Sequence, residues 1–186
     1  MYDFYSDTKT KPSNAMLEYA LGRSFGDEQK DEDPTTLELC ERVARLLGKE
    51  SAVFLPSGTM CNEIAIAVQT SPGDEILCDR SCHIINLEGG APAAMSGVMV
   101  HPLDGKYGQF TEKDIMKALR PKSRHMPISR MLCAEQTVNL GGGAVWPLEK
   151  LDSVAQVAKK SGLSTHLDGA RLLNACAKTG ISAARY

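Results

Sequence analysis

The sequence predicts an α/β architecture, a mostly parallel sheet flanked by helices. Two observations carry that prediction. Short apolar, β-rich runs alternate with apolar stripes at helical spacing along almost the whole chain. Each run is followed by turn residues and then a helical segment, so successive strands are joined by crossovers, which makes them parallel and covers both faces.

The elements follow in order. Asp33-Pro34 starts a helix, with Asp33 as N-cap and Pro34 at the first helical position. Leu37, Cys40, Ala44 and Leu47 continue it at helical spacing, and Gly48 stops it. Ala52-Val53-Phe54-Leu55 predicts a short buried strand, followed by Pro56-Ser57-Gly58-Thr59 and a helix carried by Ile64, Ala65 and Val68. Glu75-Ile76-Leu77-Cys78 is a second strand, about His83 to Ala94 a helix, and Gly97-Val98-Met99-Val100 a third strand. Thr111 and Asp114 form a capping box that opens a helix through Leu119. Arg130–Ala134 is a fourth strand, and Leu148, Leu151, Ala155 and Ala158 stripe a helix closed near Gly162. Ser164–Leu167 is a fifth strand, and another helix begins near Ala170.

Composition narrows the function. Lys+Arg of 21 against Asp+Glu of 23 leaves a net charge of −2, which argues against nucleic acid or an anionic membrane as partner. No apolar run approaches membrane-spanning length. Met1 leads into Tyr2-Asp3-Phe4-Tyr5 without a basic or apolar leader region, so the expected compartment is the cytoplasm. The six cysteines lie among apolar neighbours and read as reduced core thiols. Cys78, Cys82 and His83 have poor zinc spacing and no second ligand pair, so no metal is expected.

In parallel sheets ligands bind at the carboxyl ends of the strands, and three groups collect there. Ser57-Gly58-Thr59 opens a helix, where free N–H groups, a glycine and two hydroxyls would cradle a phosphate; a simply capped turn has the same look. His83 follows the Glu75–Cys78 strand. Asp168 follows the last strand, with Gly169 beside it and Arg171 about one helical turn on. A phosphate cradle, a flat imidazole and a carboxylate–guanidinium pair together suggest pyridoxal phosphate, whose ring becomes an electron sink when a carboxylate keeps its nitrogen protonated.

Several segments resemble the threonine aldolases, a branch of the fold type I pyridoxal-phosphate enzymes. They are Phe4-Tyr5-Ser6-Asp7-Thr8-Lys9-Thr10-Lys11-Pro12, Glu32-Asp33-Pro34-Thr35, Pro56-Ser57-Gly58-Thr59-Met60 with Asn62, Ser81-Cys82-His83-Ile84, Arg124-His125-Met126-Pro127 and His166-Leu167-Asp168-Gly169-Ala170-Arg171. The similarity covers nearly all 186 residues in the family's order. It implies the large cofactor domain of the aspartate aminotransferase-like fold, with residues 1–14 as an N-terminal arm and 15–186 as a cofactor domain incomplete at its C-terminus. The family's Schiff-base lysine segment and small domain are not in this sequence, so the chain by itself is expected to be inactive.

The resemblance also implies roles. Ser57, Gly58 and Thr59 would hold the cofactor phosphate, His83 would stack on the ring, and Asp168 would pair with its nitrogen. Arg171 and Ser6 would contact the cofactor oxygen or the substrate carboxylate, and His125 would lie near the substrate hydroxyl. The reaction would be retro-aldol cleavage of a β-hydroxy-α-amino acid to glycine and an aldehyde, in a homodimer or homotetramer. His83, His125 and Glu88 acting through a water are the base candidates. Another fold type I reaction, β-elimination or transamination, and a non-catalytic domain are the alternatives. Two departures bear on substrate choice: Val138 stands where the family commonly has histidine, and Lys30-Asp31 precedes Glu32-Asp33-Pro34. With the Glu135-Gln136-Thr137 variant, they look closer to a low-specificity or phenylserine-cleaving branch.

Overall fold

Four strands, β1 (Glu75–Asp79), β2 (Met99–Leu103), β3 (Ser129–Glu135) and β4 (Ser164–Asp168), form one sheet in the order β2-β1-β3-β4, every pairing parallel. The computed structural model describes residues 3–186, in two compact units, one ending at Phe54 and the other spanning Leu55–Tyr186. Met1 and Tyr2, part of the opening read above as leader-free, lie outside the described residues.

The first unit carries α1 (Asn14–Leu21) and α2 (Pro34–Leu47). The Asp33 carboxylate caps α2 by accepting from the Thr36 N–H at 2.8 Å, and Gly48 ends it in the left-handed conformation, as expected. Among the described residues of this unit, only Ala44 is buried.

The second unit holds the sheet. β1 lies inside it, and all five of its residues are buried. Its side chains alternate between two cores. Leu77 joins Leu132, Phe110, Trp146 and the inward faces of α6 (Glu112–Ala118) and α7 (Leu148–Lys160). Ile76 and Cys78 join Met131, Cys133 and Ile66 of α3 (Gly58–Ala67), which packs against α5 (Ala91–Ser96). The Thr111–Asp114 capping box is present, and all six cysteines are free. No helix among the described residues is long and apolar enough to cross a membrane.

Three sequence expectations are corrected. Residues 52–55 form no strand; Val53 and Phe54 are exposed, and none of the four described strands pairs with them. A strand exists only through a neighbour's hydrogen bonds, which an apolar run alone does not supply. The helix expected from His83 to Ala94 divides into α4 (His83–Asn86) and α5, because Gly89 and Gly90 both take positive φ. β2 starts at Met99 because Gly97 caps α5. The strand runs on through Pro102, tolerated because β2 pairs on one side only.

Candidate functional site

The site lies in the Leu55–Tyr186 unit, at the carboxyl ends of β1, β3 and β4. Asp79, the last residue of β1, is buried, and its carboxylate accepts from the Ser81 N–H at 2.8 Å, the Ser81 hydroxyl at 2.6 Å and the Gly105 N–H at 2.7 Å. This braces the turn that launches α4, whose first residue is His83. Glu135, the last residue of β3, accepts from the His83 backbone N–H at 3.0 Å and from the Asn139 N–H at 2.9 Å. Burial pushes its carboxyl above the usual range, and these two N–H groups partly offset that.

Asp168 ends β4, level with Glu135 across the parallel pairing. Its Oδ1 accepts from the Ala170 N–H at 3.1 Å and its Oδ2 from Asn62 Nδ2 at 2.9 Å. Asn62, on α3, also donates to Glu88 Oε1 at 2.9 Å. The same Glu88 oxygen lies 2.6 Å from His83 Nδ1. The Glu88 side chain has 0% exposure and that of His83 31%. Burial alone would push the Glu88 carboxyl up, but Thr59, Asn62 and His83 outweigh it and hold it below the usual range. The Thr59 hydroxyl is near enough to favour the charge, although Glu88 Oε2 makes no hydrogen bond of normal length among the described residues. With Glu88 ionised, Nδ1 of His83 is the donor, which in the neutral ring leaves the lone pair on Nε2.

One ligand atom each from His83, Glu88 and Asp168 lie within 4.8 Å of one another, close enough to face a cation. However, the two amide hydrogens of Asn62 already point at both carboxylates. The cluster is thus organised as a hydrogen-bond network. Beside it, α3 opens at Ser57, whose hydroxyl accepts from the Met60 N–H at 3.1 Å. A Cβ built on Gly58 would meet nothing within 4 Å. Gly58 therefore leaves room for a group to approach the backbone of the first turn, where the Met60 N–H is already held by Ser57.

A family model described as beta-eliminating lyase matches residues 3–186. The chain belongs to the beta-eliminating lyase family. It is 38% identical over 189 residues to the probable low-specificity L-threonine aldolase 2 of Arabidopsis thaliana, covering 98% of this chain and 53% of that protein. It is 37% identical over 188 residues to the low specificity L-threonine aldolase of Saccharomyces cerevisiae, covering 99% and 48%. A solved structure of Leishmania major threonine aldolase superposes with a TM-score of 0.79 at 24% identity, over 92% of this chain and 50% of that one, a likeness of fold. The chain spans about half the length of the curated relatives it matches.

Of the residues singled out from the sequence of this beta-eliminating lyase family member, the structure brings together Thr59, His83, Glu88 and Asp168. Arg171 is the N-cap residue of α8 (Leu172–Thr179). His125 lies on an exposed turn before β3, its N–H on Ser123 Oγ, and so on the amino side of that strand. Ser6 belongs to the other unit, where its hydroxyl accepts from the Thr8 N–H at 3.3 Å. Val138 is wholly buried among Leu77, Phe110 and Trp146, so this departure from the family pattern lies in the core. Sequence reasoning gave no role to Asn62, Glu135 or His166. Glu135 was findable as the acid ending a strand, and His166 as the residue sharing a strand face with Asp168.

Proposed function

We propose that this protein is a pyridoxal-phosphate-dependent lyase that cleaves a β-hydroxy-α-amino acid of the threonine or phenylserine type to glycine and an aldehyde. The observation that carries the reading is the gathering of an imidazole, its buried carboxylate partner and Asp168 beside the open start of α3. These residues fit the cofactor. The α3 N–H groups with Ser57, Gly58 and Thr59 suit a phosphate dianion. The partly exposed His83 ring suits stacking, and the Asp168 carboxylate suits a protonated pyridine nitrogen. When bound, pyridoxal phosphate supplies the electron sink for the Cα–Cβ bond.

The chain's own residues do the rest. Glu88 holds the Nδ1–H of His83 and leaves Nε2 to take the proton of the substrate's β-hydroxyl. Glu88 is therefore the orienting acid and His83 the base. Arg171, three residues beyond Asp168 at the N-cap of α8, is assigned the substrate carboxylate, which a guanidinium holds as a fork. Residues 1–14 as an arm and 15–186 as a cofactor domain, a homodimer or homotetramer, and a cytoplasmic location belong to the same reading. Exposed Leu17, Tyr19, Leu21 and Phe25, in a unit with one buried residue among those described, support association. Six free thiols support a reducing compartment.

The test is the purified protein, carrying whatever sequence its gene encodes on either side of residues 1–186, loaded with pyridoxal phosphate and given L-threonine or phenylserine. Aldehyde and glycine in equal amounts are expected. The family's description makes β-elimination the second reading, and ammonia with an oxo acid in place of aldehyde would select it.

A further inference from the structure

The side chain at the centre of the cluster is Asn62, and it is 4% exposed. Its amide makes three contacts, all at 2.9 Å: Nδ2 to Glu88 Oε1, Nδ2 to Asp168 Oδ2, and Oδ1 to His166 Nε2. The orientation of that amide is determined by its partners. The two N–H bonds point at two carboxylates, and turning the amide over would aim its oxygen at both anions. Oδ1 must then face His166, and an oxygen can only be met by a donor. We propose that Asn62 is the positioning residue of this site, holding the Asp168 and Glu88 carboxylates side by side while His166, neutral and protonated on Nε2, holds Asn62.

Two carboxylates this close repel each other. One N–H to each offsets that repulsion, and a neutral amide does so without adding charge. His166 is suited to the supporting part. It sits on β4 opposite Cys133 of β3, two residues before Asp168. Burial pushes it below its ordinary value, against the pull of Asp168, so it stays neutral. A neutral imidazole donates through one nitrogen only, and the contact with Asn62 selects Nε2. Asn62 also lies on α3, the helix whose first turn is the phosphate cradle of the proposed function. On that reading, one helix fixes both the phosphate site and the ring-nitrogen carboxylate; this part of the inference rests on the proposed cofactor.

The experiment begins without cofactor, on the whole purified protein labelled with 15N in its histidine rings. His166 is identified by the signal lost in His166→Gln. Its Nε2 is expected to show the shift of a protonated ring nitrogen and its Nδ1 that of an unprotonated one, from about pH 8 down past the ordinary histidine value of about 6.5. An Nδ1-protonated ring, or an imidazolium at neutral pH, would overturn the proposal. Asn62→Asp keeps the size and places a carboxylate against His166. The His166 titration should then move up by at least about one unit, and an unmoved titration would equally overturn it. In a third arm, pyridoxal phosphate is titrated by absorbance against wild type and Asn62→Asp, with about a tenfold or greater loss of affinity expected. Equal affinities would remove the positioning role toward the cofactor. If wild type itself binds none, the proposed function fails, while the ring-nitrogen shifts still decide the role of Asn62.

Discussion

Glu88→Gln is the substitution that most directly separates an orienting acid from a passive buried charge. Glu88 Oε1 receives His83 Nδ1 at 2.6 Å and Asn62 Nδ2 at 2.9 Å, while Oε2 is buried without a partner of normal length among the described residues. Glutamine has one oxygen to offer. Placed at the Oε1 position, it keeps both donors but makes them neutral bonds, about 1 kcal/mol weaker apiece. Its NH2 then occupies the Oε2 position, and the charge that the Thr59, Asn62 and His83 donors favour is gone. Relief from burying a charge opposes these losses, so a net destabilisation of about 1–3 kcal/mol is expected. For a chain of this length that lowers Tm by roughly 3–10 °C. Turned over, the amide would aim N–H at N–H toward Asn62, and His83 would have to accept on Nδ1 and place its proton on Nε2.

Either arrangement weakens the base. A positioned general base contributes about 10²–10⁴ in rate, so kcat/KM for aldehyde release should fall at least about 10²-fold, with cofactor affinity changed less than about tenfold. The pH dependence has a definite sign. The Glu88 carboxyl is held below the usual range in the folded protein, so its stabilising contribution is present above the unfolded value and lost as pH falls through the lowered one. The stability gap between wild type and Glu88→Gln should therefore narrow on acidification. Thermal melts at several pH values, beside an aldehyde-release assay, make the measurement. A variant with near-normal turnover, or a gap that widens in acid, would refute the orienting role.

Three other outcomes are expected. Arg120→Met removes the guanidinium that contacts Glu75 at 2.9–3.3 Å, leaving a carboxylate with 1% exposure to Ser129 and His101. A lower urea midpoint follows, because the buried carboxylate loses its cationic partner, and an unchanged midpoint would refute it. Val138→His, which restores the family's common residue, buries an imidazole in the core and should cost about 2 kcal/mol or more without changing the preference between threonine and phenylserine; a switch in preference would contradict the core placement. Glu63 has both carboxylate oxygens buried without partners among the described residues, and burial followed by the Glu88 charge raises its pKa. A raised acid costs stability increasingly as pH rises from the unfolded value through the folded one, so Glu63→Gln should raise Tm at neutral pH and lose that gain in acid; an equal gain at both would refute it.

The parts of the fold legible in the sequence are those whose cause is local. Asp33 and Gly48 bracket α2 because a cap and a left-handed glycine act on their own turn. Residues 52–55 misled because an apolar run states a wish for burial and says nothing about the neighbour it needs. The site divides in the same way. His83 and Asp168 were legible from their places after strands, but Asn62 meets Glu88 and Asp168 across 26 and 106 residues of sequence. No spacing rule reaches that far.

Strand-end acids make the point sharper, because the sequence offers three and only one is left facing the proposed chemistry. Asp79 is consumed by two backbone N–H groups and a hydroxyl, and Glu135 by two backbone N–H groups. Both are braces that shape the turns carrying His83. Among the described residues Asp168 has a single backbone donor, from Ala170, and its other oxygen is held by a side chain. A carboxylate oxygen has room for more than one donor, so the acid with the fewest backbone partners keeps the most capacity for a ligand. What separates a brace from a reacting group at these strand ends is the number of N–H groups that the following loop turns back toward the acid. That number is set by loop geometry and not by the identity of the acid.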